Sequence, residues 1–283
     1  MKKQIILIGS GILLIVVIFM AGKTVSDEKP VLPMSQSKVQ SFDIQQFIEQ
    51  EKTELAPEQK TLLSKLEENI SQNSDPTQKI ASLTAVANFW KDSIKQFESY
   101  AYFIAEASKL DNSEKSLTFA AQLFLSNLRG EQDDSKLNWE SNEAISLFEK
   151  AILLNPSSED LKIDLASCYI YGKGRNGDPQ QTMKGILGLL EVVRRDSTNM
   201  KAQLVLGIGG FVSGQYDKAL ARLTKVITQE PDNLEAIAFL ADTYAAQGNK
   251  EAAIKWYTIS KRLVNNPSYS KEVDERLRTL QNK

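Results

Sequence analysis

The sequence predicts an all-α solenoid of paired helices behind an N-terminal transmembrane helix, and three observations carry that prediction. Residues 200–233 and 234–267 form two consecutive 34-residue units that align without a gap, pairing Leu206 with Leu240, Gly207 with Ala241, Gly214 with Gly248, Ala219 with Ala253 and Leu223 with Tyr257. A small residue recurs at Ala87, Ala121, Ala166, Gly207 and Ala241, at spacings of 34, 45, 41 and 34. An apolar residue precedes each, and Trp90, Phe124, Tyr169 and Tyr244 follow four of them three positions on, with Gly210 the exception. Small residues at fixed spacing let a second helix lie close against a first, while bulky ones fill the seam between neighbouring pairs. Finally, 283 residues at 42% hydrophobic content are enough for a large core, and a solenoid grows past ordinary domain size by adding units.

From the amino terminus, Lys2 and Lys3 precede an uncharged run from Ile5 to Gly22. Eighteen residues at about 1.5 Å each span roughly 27 Å, close to the hydrocarbon thickness of a bilayer. Residues 1–22 are therefore expected to form an uncleaved signal-anchor; the competing reading is a cleaved signal peptide, for which Met20-Ala21-Gly22 is a poor ending. The lysines before the span favour N-in, with the body on the outer, periplasmic side of the cytoplasmic membrane. Residues 23–41 carry two prolines, several serines and no helical period, as a flexible linker does.

Residues 42–79 read as a helical N-terminal cap: Phe42, Ile44, Phe47 and Ile48 share one helical face, and Leu62, Leu63, Leu66 and Ile70 share another after Pro57, a residue suited to a first turn. The array follows at 80–267, divided as 80–113, 114–158, 159–199, 200–233 and 234–267. The extra residues of the second and third units are expected as loops or helix extensions, since the second-helix pattern returns at Ala144, Phe148 and Ala151 and at Gly185, Leu189 and Val192. Asp178-Pro179 has the form of an N-cap and first-turn proline. Residues 268–283 read as a C-terminal capping helix with Val273, Leu277 and Leu280 on one face.

This register resembles the tetratricopeptide repeat (TPR), in which a large residue, a leucine and a small residue mark the first helix and Ala-x3-aromatic marks the second. With the anchor and linker, the chain resembles membrane-anchored bacterial envelope proteins of that family, which implies an assembly scaffold. The family's concave positions fall here on Ile163, Ile170, Tyr171, Lys201, Leu204, Ile208, Phe211, Val212, Ala238 and Asp242, with Glu235 and Ala245 beside them. The family's carboxylate-clamping positions hold Ile163, Ser167 and Val205, so the resemblance does not imply such a clamp. It implies instead an apolar groove for an amphipathic helix or extended apolar segment, unless the chain's own helices, such as the pair at 42–70, cover that face.

Most chemistry is disfavoured by composition. No histidine and a single cysteine remove histidine bases, histidine metal ligands, disulfides and multi-cysteine zinc sites. No cofactor, no metal and no enzymatic role are expected. A net charge of -2 without a basic run argues against nucleic acid. Gly172-Lys173-Gly174-Arg175-Asn176-Gly177 matches the spacing of a dinucleotide-binding fingerprint, but a helix pattern precedes it where that fingerprint needs a strand, so a glycine-rich turn is expected. Cys168 is expected to be a buried, inert thiol, and Trp139 lies among charged residues with no legible fate. The expected function is a membrane-tethered scaffold for a protein or peptide partner; the alternative is an array that self-associates into a homo-oligomer.

Overall fold

The computed structural model describes residues 41–264 and 266–282, and among these residues every regular element is helical. The helices are α1 (Ile44–Glu54), α2 (Pro57–Gln72), α3 (Pro76–Asn88), α4 (Phe97–Asp111), α5 (Glu114–Leu128), α6 (Asp134–Leu154), α7 (Glu159–Cys168), α8 (Pro179–Arg195), α9 (Met200–Val212), α10 (Tyr216–Gln229), α11 (Leu234–Ala246), α12 (Lys250–Leu263) and α13 (Pro267–Asn282). From α3 to α12 they pair in sequence order as five hairpins, α3–α4, α5–α6, α7–α8, α9–α10 and α11–α12. The expected anchor at 1–22, and the linker up to residue 40, lie outside the described residues. Among the described residues no helix is long and apolar enough to cross a membrane.

Local chemistry starts these helices where the sequence permits. Asp43, Asp75, Ser113, Asp133, Ser158, Asp178, Asn199, Asn233 and Asn249 each accept a hydrogen bond from a first-turn backbone amide, satisfying donors that have no partner within the helix. Each such cap contributes about 1 kcal/mol. Pro57, Pro76 and Pro179 occupy first helical positions, where no amide is needed.

The recurring small residues form the seam inside each hairpin. Ala87, Ala121, Ala166 and Ala241 are buried, and a Cβ added at Gly207 would fall 2.7 Å from Cγ of Leu223 on α10. At Gly210, where the other hairpins carry an aromatic, a Cβ would meet Ala219 at 3.2 Å, so α9 and α10 approach more closely than an aromatic would allow. Between these seams Trp90, Phe124, Phe148, Leu147 and Leu189 are fully enclosed in one continuous core. Burying each such side chain contributes about 1.5–3 kcal/mol, which is what holds short helices that would be marginal alone.

The insertions lengthen helices, with residues 131–133 and 175–178 left as turns and irregular stretches beside them. In the second hairpin α6 extends to 21 residues, and its added turn carries Trp139 between Phe124 at 5.4 Å and Phe42 at 5.1 Å. Trp139 thus joins the N-terminal segment to the second hairpin. In the third, α7 runs on through a π-helical turn, Tyr169–Gly174, before Asp178 starts α8. A matching π-helical turn, Phe89–Ile94, ends the first helix of the first hairpin. The ends are closed by flanking helices: Gln45 of α1 donates to the Tyr102 hydroxyl of α4 at 2.7 Å, and Val273 of α13 packs in a cluster with Ala241, Ala253 and Tyr257.

Candidate functional site

The C-terminal end of α5 and the first helices of the third, fourth and fifth hairpins meet around a cavity of about 230 Å³. Ile208, Phe211 and Val212 of α9 and Phe239 of α11 make its apolar wall, with the Phe211 and Phe239 rings edge-on at 5.6 Å. Arg129, Arg175, Tyr171 and Glu235 make its polar side. The Tyr171 hydroxyl donates to Glu235 at 2.7 Å, and Arg129 Nε stands 3.2 Å from the same carboxylate oxygen. The Arg129 guanidinium also lies over the Tyr171 ring, 4.8 Å from its centre.

The electrostatics of this cluster bear on Tyr171 and Arg129. Burial first, and the facing carboxylate of Glu235 second, push the Tyr171 phenol far above its ordinary range, so it remains a hydrogen-bond donor. For Arg129 burial works against the charge, but the Tyr171 oxygen and Glu235 more than offset it. Arg175 is spent on structure: its guanidinium donates to the carbonyls of Leu128 and, at 3.0 Å, Glu131, closing the C-terminus of α5. The lining has no nucleophile paired with a base. What it offers is a small apolar recess beside a charged, hydrogen-bonding edge, which is a binding arrangement.

The tetratricopeptide repeat family model matches residues 213–271, from the turn after α9 into α13. The chain folds as a tetratricopeptide-repeat array. A tetratricopeptide repeat protein from Parabacteroides merdae superposes with a TM-score of 0.57 at 13% identity, over 84% of this chain and 87% of that one. A thermophilic TPR protein of Thermus thermophilus does so with a TM-score of 0.53 at 15% identity, over 72% of this chain and all 100% of that one. At these identities the likeness is one of fold alone. No curated protein matches the sequence.

The array distributes the sequence-predicted groove residues over several environments. Tyr171, Ile208, Phe211 and Val212 come together around the cavity. Ile163 and Ile170 are wholly enclosed, and Leu204 nearly so, and none of them lines it. Gly209 lets this happen for Ile170, since a Cβ there would lie 2.9 Å from the Ile170 Cδ1. Lys201 sits apart, paired with the buried Asp164 at 2.6 Å, which also accepts from Gln122. Ala238 is half-buried outside the lining, and Asp242 is taken up by α12 and α13, accepting from Tyr257 of α12 and pairing with Arg276 of α13. No residue of α1 or α2 lines the cavity, so that helix pair does not fill it.

Arg129 and Phe239 were not legible as site residues. Arg129 follows the last residue of α5 and belongs to no repeated position, and its approach to Glu235 depends on how the hairpins curve. Phe239 precedes Leu240 in the repeat register and reads there as core. The glycine-rich stretch 172–177 proves to be architecture: Lys173 Nζ donates to Asn138 and Asn142 of α6 at 2.5 and 2.6 Å, and Arg175 caps α5. Cys168 is buried, and burial, then the nearby Asp164, raise its pKa well above the ordinary value. Among the described residues no cluster of histidine, cysteine, aspartate or glutamate is arranged to hold a metal ion.

Proposed function

We propose that the array is a binding scaffold, without catalytic chemistry of its own, that takes a segment of a partner protein into the cavity lined by Ile208, Phe211, Val212 and Phe239. The observation that carries this reading is that the first helices of three hairpins leave between them a recess of about 230 Å³ whose apolar wall faces the Arg129–Glu235 ion pair. A photo-crosslinking residue placed at Phe239 is expected to form adducts with a partner polypeptide in intact cells, and one placed at Leu187 on α8 is not. Equal labelling from both positions would remove the cavity as the docking site.

A second reading, self-association, draws support from large apolar side chains on the second helices of two hairpins: Leu153 is 80% exposed on α6 and Leu187 55% exposed on α8. Sedimentation of the full-length protein in detergent would separate the two readings. A single protomer mass at all concentrations excludes self-association.

We further infer from the sequence that Ile5–Gly22 tethers the array to the cytoplasmic membrane, with the array on the outer side. The apolar length and the preceding lysines support this reading. Reporter fusions at the C-terminus are expected to be active outside the cytoplasm, and activity confined to the cytoplasm would reverse the orientation.

A further inference from the structure

The polar side of the cavity is built around a carboxylate that the protein supplies itself. Glu235 receives the Tyr171 hydroxyl and faces Arg129, and both residues come from hairpins other than its own. Among the described residues Glu235 is the carboxylate that Arg129 pairs with, its Nε standing 3.2 Å from the Glu235 Oε1. Arg129 keeps half its side chain exposed, and Glu235 about a quarter. An outside group can therefore reach this pair.

Charge and size define what would fit. The lining carries two arginines against one glutamate, one positive charge in excess, so a second anion completes the balance and a cation would face both guanidinium groups. A planar guanidinium edge matches a carboxylate through two parallel hydrogen bonds. Beside it, a recess of 230 Å³ is smaller than a typical small-molecule site and is suited to one large side chain between Phe211 and Phe239.

We propose that the cavity selects a peptide segment in which an acidic side chain directly neighbours a large apolar one, and that Glu235 holds the acidic group's place until that segment arrives. The inference rests on the binding-scaffold reading above and deepens it. The incoming carboxylate pairs with Arg129, the apolar side chain enters the recess, and Glu235 yields Arg129 and turns toward solvent. None of these residues occupies the carboxylate-clamp positions, which hold Ile163, Ser167 and Val205.

The test uses full-length protein in detergent and three fluorescein-labelled, capped peptides, Ser-Gly-Phe-Glu-Gly-Ser and its Gln and Lys counterparts, read by fluorescence anisotropy. The Glu peptide is expected to bind about tenfold more tightly than the Gln peptide, with the Lys peptide weakest. Glu235→Gln removes the internal competitor and is expected to tighten the Glu peptide by roughly threefold or more relative to the Gln peptide. Arg129→Gln is expected to abolish the preference for Glu over Gln, with circular dichroism confirming that both variants keep the fold. Equal binding of all three peptides that is lost in Phe239→Ser would overturn the acidic preference and leave the cavity as a docking site. Preference for the Lys peptide would overturn the inference in the same way. Absence of binding by every peptide, together with no adducts from the crosslinker at position 239, would overturn both readings.

Discussion

Gly172 of α7's π-helical extension lies so close to Ser141 of α6 that a methyl group on it would sit 1.9 Å from the serine hydroxyl oxygen. Ser141 has no room to turn aside, because it is fully buried and donates to the Leu137 carbonyl at 2.5 Å. The Gly-x-Gly spacing of this stretch thus reflects helix contact. Gly172→Ala is expected to destabilise the protein by about 3 kcal/mol, and pairing it with Ser141→Gly is expected to restore part of the loss. Denaturant unfolding of the three variants checks this; an unchanged midpoint for Gly172→Ala would contradict the contact.

Glu140 is a buried acid whose proton is set by its surroundings. Burial pushes its carboxyl from 4.5 up to about 8, the neighbouring Glu131 and Glu98 add to the rise, and the hydrogen bond from Asn127 and the charge of Lys136 oppose it. The folded protein therefore keeps a proton that the unfolded chain gives up, and stability falls as pH rises between about 4.5 and 8. Glu140→Gln lacks this loss. Its melting temperature relative to the wild type is expected to be higher at pH 9 than at pH 5, and a pH-independent difference would show that Glu140 titrates normally.

Val273 is the buried anchor of α13 on the fifth hairpin. Val273→Ala is expected to cost about 1–2 kcal/mol, and the loss should be local, since a terminal cap contacts only the unit beneath it. Hydrogen exchange should quicken in α13 and at the end of α12 while α5 keeps its protection. Uniform loss of protection would mean that the cap holds the whole array.

Cys168 is expected to resist iodoacetamide at pH 8 in the native protein and to react fully in denaturant, because the thiol is enclosed and its ionisation is opposed by burial and by Asp164. Mass spectrometry of the alkylated protein reads both states. Rapid native labelling would indicate frequent opening of α7.

The helical register was legible because its physical cause repeats. Ala87, Ala121, Ala166, Gly207 and Ala241 are small for one reason, the approach of a second helix, and five examples of one constraint make a pattern. The cavity was only half legible. Tyr171, Ile208, Phe211 and Val212 could be read from repeat position, but position alone also named Ile163 and Ile170, which close packing of α7 beneath α9 encloses. Arg129 was invisible for the opposite reason, since its role depends on the curvature summed over three hairpins. Trp139 behaves likewise: its environment is a long-range meeting with Phe42, which neither segment signals alone.

The Arg129–Glu235 pair joins the second hairpin to the fifth, although an array of this kind otherwise links each unit to its neighbours. Only when the third and fourth hairpins have docked with the right curvature do these two charges come within reach. The pair is expected to form late, after the folding transition state, so weakening it should leave the folding rate unchanged while hastening unfolding, which stopped-flow refolding and unfolding of Arg129→Gln would check. A peptide that displaces Glu235 would remove that late contact and put its own in its place, so partner exchange would be read as a change in how long the assembled array survives.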